Sequence, residues 1–140
     1  MIPDSINLRE FASRYAAAWC SQNPQSVAGF FAPDGSLTIN DAAPAIGRTA
    51  IAQSARGFMS AFPDMQVVMD KLVTRNGHIE FHWTLIGTNT GPAGTGHSVR
   101  ISGSEQWHFA EDGSIANSFG HFDAQEYQHQ LQQGFDRSKS

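Results

Sequence analysis

The chain has 140 residues, enough for one domain with a single core or an enclosed pocket and with little room for a second, and a formal net charge of −4. It has no basic run to follow a phosphate backbone, so no nucleic-acid partner is expected, and no apolar run reaches the ~18 residues of a membrane span. The one cysteine, Cys20, gives neither a disulfide nor a zinc framework, and without a basic-then-apolar leader a cytoplasmic location is expected.

Leu8, Phe11, Tyr15, Ala18 and Trp19 fall on one helical face. Asn7 and Glu10 have capping-box spacing, although Asp4 offers an earlier start. The helix should end near Asn23-Pro24, where a second one starts with Asn23 as cap and carries Val27, Phe30 and Phe31. Asp34-Gly35 is read as a turn into a short strand, Ser36 to Asp41. Beyond Gly47, Thr49 is read as the cap of a third helix whose apolar face is Ile51, Ala55, Phe58 and Phe62, stopped by Pro63-Asp64. The spacing then turns to that of hairpins, with Asn76-Gly77 and Asp112-Gly113 as turns. Strands are predicted at Met65–Thr74, His78–Thr88, His97–Ala110 and Ser114–Phe122, with Gly91–Gly96 as a longer loop. Ala124–Gln132 closes the chain as a helix, and Asp136–Ser140 is read as a frayed end. Three helices followed by consecutive long strands give an α+β class, a curved antiparallel meander with helices on one face.

In the third long strand Val99, Ile101, Gly103, Glu105, Trp107 and Phe109 share one face, and Arg100, Ser102, Ser104, Gln106 and His108 the other. Glu105 thus sits among apolar neighbours, where a carboxylate holds its proton or finds a partner. It is either a site carboxyl, an arginine-paired one, or solvated with the faces exchanged. The last strand separates Asn117, Phe119, His121 and Asp123 from Ala116, Ser118, Gly120 and Phe122. A two-residue turn at Asp112-Gly113 pairs Glu105 with Gly120. One extra loop residue or a bulge pairs it with Phe119 and brings His121 and Asp123 inward. Asp123 also suits the N-cap of the closing helix, with Glu126 at the capping-box position. Of the six histidines, His82 alternates with Phe81 and Trp83 and faces either a pocket or an interface. None has zinc-ligand spacing, and no P-loop, dinucleotide fingerprint or nucleophile elbow occurs, so neither metal nor cofactor is expected.

The order of elements and four strings resemble the SnoaL-like polyketide cyclases, within the cone-shaped fold of nuclear transport factor 2 and ketosteroid isomerase. The strings are Ala61-Phe62-Pro63-Asp64-Met65, Gly87-Thr88-Asn89-Thr90-Gly91-Pro92, Asp112-Gly113-Ser114-Ile115, and Asp123 followed by Gln130-Leu131. The resemblance spans about residues 5–134 of a single domain. It implies a cystatin-like α+β barrel in which the sheet wraps the N-terminal helices around an apolar pocket. It also implies a homodimer through the sheet and a small apolar ligand, cyclic or polyketide-like. The cyclases' acid/base aspartate corresponds to Asp123. Their histidine on the preceding strand corresponds to Trp107 or Phe109, which leaves Glu105 or His121 as substitutes. Ketosteroid isomerase is similar in having a tyrosine where Tyr15 falls and a protonated acid where Glu105 falls, but its base corresponds to Ile39. The expected catalytic set is therefore Asp123, Glu105, His121 and Tyr15. The expected substrate wall is Trp19, Phe58, Phe62, His82, Trp83, Trp107 and Phe119. The function expected is cofactor-free cyclisation or isomerisation of a carbonyl compound, and the alternative is a ligand-binding or dimerisation module without chemistry.

Overall fold

Side-chain caps start three of the helices. In the computed structural model, which describes residues 7–135, Asn7 accepts the Glu10 N–H at 3.1 Å and opens α1 (Leu8–Cys20). The earlier start at Asp4 and the frayed end at Asp136–Ser140 lie outside the described residues. Asn23 accepts the Gln25 N–H at 3.1 Å ahead of α2 (Pro24–Ala28). Phe30 and Phe31, expected in this helix, lie beyond its end. Phe31 opens β1 (Phe31–Ile39), because its backbone is taken up beside Ile115 of the last strand. The strand therefore starts before Asp34-Gly35, and its register shifts between Phe31 and Ser36.

After a two-residue strand, β2 (Ala45–Ile46), α3 spans Arg48–Ala61. Its cap is Gly47 and not Thr49, and no side chain bonds there. Gly47 enters the helix at φ +88°, a left-handed conformation open to glycine, and its N–H is fixed at 2.7 Å on the Gly35 carbonyl.

The hairpins follow as β3 (Gln66–Arg75), β4 (His78–Thr88), β5 (Ser98–Phe109) and β6 (Ile115–Phe122), then α4 (Ala124–Gln133). The six strands form one open, curved sheet in the order β2-β1-β6-β5-β4-β3. All neighbours are antiparallel except β1 and β6, which run parallel. The helices lie on one face of this sheet, so Val99, Ile101, Glu105, Trp107 and Phe109 are buried. At the closed end Phe81 stacks on Trp107 at 4.9 Å, and Tyr15 meets the same indole edge-on at 5.1 Å.

Two irregularities set which residues reach this inner face. On β3 the register shifts between Met69 and Lys71, which leaves Asp70 as the extra residue. Met69 pairs with Trp83 before it and Leu72 with Phe81 after it, so both point inward although their spacing is odd. Between β5 and β6 the Ala110 N–H bonds the Ser114 carbonyl, which leaves the three residues Glu111–Gly113 in the turn. The register then shifts by one at Ala116, because Phe109 faces Ile115 while His108 faces Asn117. The two slips cancel. Glu105 pairs with Gly120, and Ser118, Gly120 and Phe122 share its face.

Candidate functional site in the cone

Glu105 is held at the floor of the cone by three elements at once. Its Oε1 accepts the Tyr15 hydroxyl from α1 at 2.8 Å, the Ser118 hydroxyl from β6 at 2.8 Å and the Trp107 indole N–H from β5 at 3.1 Å. Among the described residues no hydrogen bond reaches Oε2, and no cation pairs with this carboxyl. Glu105 is 7% exposed, and burial pushes its pKa above the ordinary glutamate range. The bonds from Ser118, Tyr15 and Trp107 pull the other way without cancelling that cost. Tyr15, wholly buried, is pushed well above its ordinary value by burial and then by the Glu105 charge, so its O–H remains a donor. The Trp19 N–H lies near enough to the phenol oxygen to offset this slightly, without reaching hydrogen-bond geometry.

Beyond Glu105 an apolar cavity opens, with ≈ 60 Å³ of room for the centres of water-sized molecules. This is several times the roughly 10–15 Å³ that a cavity needs to hold one water. Trp19 and Phe58 form the helix wall, Trp83, Leu85 and Ile101 the sheet wall, and Phe122 and Tyr127 the rim. Gly120 lines it opposite Glu105, where a Cβ would stand 3.7 Å from the glutamate Cγ. Asn7 to Trp19 need a cap and one apolar stripe to form the first wall. The second needs only the two-residue period of β4 and β5.

The cavity thus brings together Glu105, Trp19, Phe58 and Trp83 of the residues expected from sequence. Tyr15 and Trp107 lie beneath it as donors to Glu105, and Phe62 is wholly buried in the core beside it. The others fall elsewhere. His82 is on the opposite sheet face, bonded to Glu80 at 3.2 Å. Phe119, 39% exposed, and His121 point outward because the two slips between β5 and β6 cancel. Asp123 is exposed and caps α4, accepting the Glu126 N–H at 3.0 Å.

Sequence reasoning passed over Ser118 and Tyr127. Ser118 emerges only once the β6 parity is known. Tyr127 had a local signal: Phe122 and Tyr127 flank the Asp123 cap at the N′ and N4 positions of a hydrophobic staple, and their rings meet at 5.4 Å. The staple folds α4 over the rim, where the buried Gln130 accepts the Arg100 N–H at 2.7 Å. No helix among the described residues is long and apolar enough to cross a membrane.

Comparison with known proteins gives a consistent family. The model of the SnoaL-like polyketide cyclases matches residues 9–131. A hypothetical protein of ketosteroid isomerase-like fold from Catenulispora acidiphila, crystallised with trimethylamine, superposes with a TM-score of 0.76 at 18% identity, over 87% of this chain and 92% of that one. A putative SnoaL-like polyketide cyclase from Jannaschia superposes with a TM-score of 0.76 at 13% identity, over 91% and 92%. TerC, co-crystallised with polyporic acid, does so with a TM-score of 0.71 at 11% identity, over 88% and 96%. At such identities these structures share the fold. No curated protein matches the chain.

Proposed function

The chain belongs to the SnoaL-like polyketide cyclase family, and from that membership we propose that its cavity takes an apolar cyclic or polyketide-like carbonyl compound on which Glu105 moves protons. The observation that carries this reading is the uneven use of the Glu105 carboxyl. Three donors hold Oε1, and Oε2 is left as the oxygen able to exchange a proton with a cavity occupant. The raised pKa brings the group nearer to neutrality, where a carboxyl both takes and returns a proton effectively.

In this mechanism the ionised Oε2 removes a proton from the carbon next to the carbonyl. The C–H electron pair becomes the new C=C bond, and the carbonyl π pair moves to oxygen. Return of the proton to another carbon gives an isomer. Attack of the enolate carbon on a second carbonyl of the same molecule closes a ring, and the alkoxide takes back the proton from Oε2. Nothing is oxidised or reduced, so the sequence of steps calls for no cofactor. Asp123 has no part in it, since it is committed to α4 at the surface. Small-molecule occupants of the same fold, trimethylamine and polyporic acid, support a small molecule as the occupant of the cavity. The reading includes a cytoplasmic location and a homodimer through the outer sheet face, where Val68 and Phe119 are exposed.

The test is hydrogen–deuterium exchange next to the carbonyl of 1-indanone, followed by NMR. The native protein should accelerate exchange, and Glu105→Gln should lower that acceleration by about 100-fold or more, the usual scale of general acid–base catalysis. If 1-indanone binds and exchange is not accelerated, the chain is a carrier and not an enzyme.

A further inference from the structure

Formation of an enolate leaves charge on the carbonyl oxygen, and a buried site without a donor at that point stabilises the transition state poorly. The donors around Glu105 are already used: Tyr15, Ser118 and Trp107 all give their protons to Oε1. Trp19 carries a buried N–H without a partner among the described residues, but it sits beside the Tyr15 phenol oxygen. Among the described residues the Trp83 N–H likewise finds no partner, and it is equally shut off from solvent, on a residue that lines the cavity. A buried donor left unpaired in a native protein is rare and calls for a reason.

The position of this indole supplies one. Trp83 pairs with Gly103 across β4 and β5, and Glu105 is the next residue on that face. Such diagonal neighbours lie about 7–8 Å apart in the backbone. A flat molecule spanning the two side chains offers its α-hydrogen to one and its oxygen to the other. Gly103 makes this orientation possible: a Cβ there would stand 2.6 Å from Cζ2 and 2.9 Å from Cη2 of the Trp83 ring. Cζ2 belongs to the ring edge next to the N–H, so the bare glycine fixes the depth at which that donor sits. We propose that the Trp83 indole N–H is the hydrogen-bond donor that receives the ligand's carbonyl oxygen, and so selects oxygen-bearing ligands over hydrocarbons of the same shape.

This inference rests on the carbonyl-compound reading above, and the experiment separates the two. Proton–nitrogen NMR resolves the indole groups of the three tryptophans, assigned with single Trp→Phe variants. Addition of 1-indanone should move the Trp83 N–H signal downfield, whereas indane, its hydrocarbon counterpart, should not. Trp83→Phe should weaken 1-indanone binding about tenfold and indane binding less than about twofold, because the ring face is kept and only the donor is lost. Equal losses for both, or 1-indanone bound without a shift of the Trp83 signal, would overturn the proposal. The ligand-induced shift is read in the native protein, so a poorly folded variant does not remove the test. Glu105→Gln should keep the shift while losing exchange. A response at Trp83 together with unaltered exchange in Glu105→Gln would leave this donor standing and remove the acid–base reading. Failure of both probes to bind would remove both.

Discussion

At the floor of the cone Glu105 collects donors from α1, β5 and β6, whereas at the rim Asp123 serves its own helix, accepting the Glu126 N–H at 3.0 Å in the open. The first arrangement exists only when distant parts of the chain have come together. The second is complete within one turn of helix. A carboxylate out of water must be compensated by groups brought from elsewhere, and those groups cannot then relax around it. The apolar cavity above Glu105 adds to that cost and, in the proposed mechanism, gives the group its chemical use. At Asp123 water screens the charge, and the side chain satisfies a helix end.

The sharpest way to break this contrast is catalytic. Glu105→Gln should reduce carbonyl-adjacent exchange by about two orders of magnitude or more, and Asp123→Asn, which keeps the cap, should change it less than about threefold. A reversal would return Asp123 to the chemistry.

Stability tests the same contrast. Glu105→Ala strands the Tyr15, Trp107 and Ser118 donors together and should cost about 3 kcal/mol or more, whereas Asp123→Ala should cost about 1 kcal/mol, as for an ordinary N-cap. Urea unfolding measures both.

The pH dependence follows from the raised pKa of Glu105. The folded protein holds this proton more tightly than the unfolded chain. Stability should therefore fall as pH rises from the ordinary glutamate range of about 4 up to the raised value, and level off above it. In Glu105→Gln that component of the fall should be missing when unfolding midpoints are compared across the window. Exchange on 1-indanone should rise with pH through the same raised value, since the ionised carboxylate is the base.

Ser118→Ala gives the finest adjustment. Its hydroxyl bond favours the ionised form, so its loss should move the rise in the exchange profile to higher pH while Tyr15 and Trp107 keep Oε1 in place. An unmoved profile would mean that Glu105 is not the titrating group. On the outer face Phe119→Asp should shift the light-scattering mass from two chains toward one, and a native mass of one chain would remove the proposed dimer.

What could be read in advance divides along the same line. The Asn7, Asn23 and Asp123 caps are local patterns, and each bonds as its spacing predicts. The inward side of Glu105 follows from strand alternation. That Oε1 takes all three donors depends on where α1 crosses the sheet, which no window of sequence contains. The outward turn of His121 and Asp123 was hidden for another reason. It is the net result of two one-residue departures, at Glu111–Gly113 and at Ala116, and neither carries a signal of its own.

The cancellation at this hairpin works like a vernier: one count too many in the turn is restored by one count too many in the strand. Were Ala116 instead drawn into the ladder opposite His108, β6 would continue in the turn's own register, with Phe119 opposite Glu105 and its neighbours His121 and Asp123 turned toward the cavity. The donor Ser118 and the open space at Gly120 would leave together. Deletion of Ala116, by contrast, would remove only the unpaired residue: Ile115 would stay opposite Phe109 and Asn117 opposite His108, so Glu105 would still face Gly120. Which polar groups the cavity receives therefore depends on one residue staying out of the ladder, and shortening the strand at that residue preserves them.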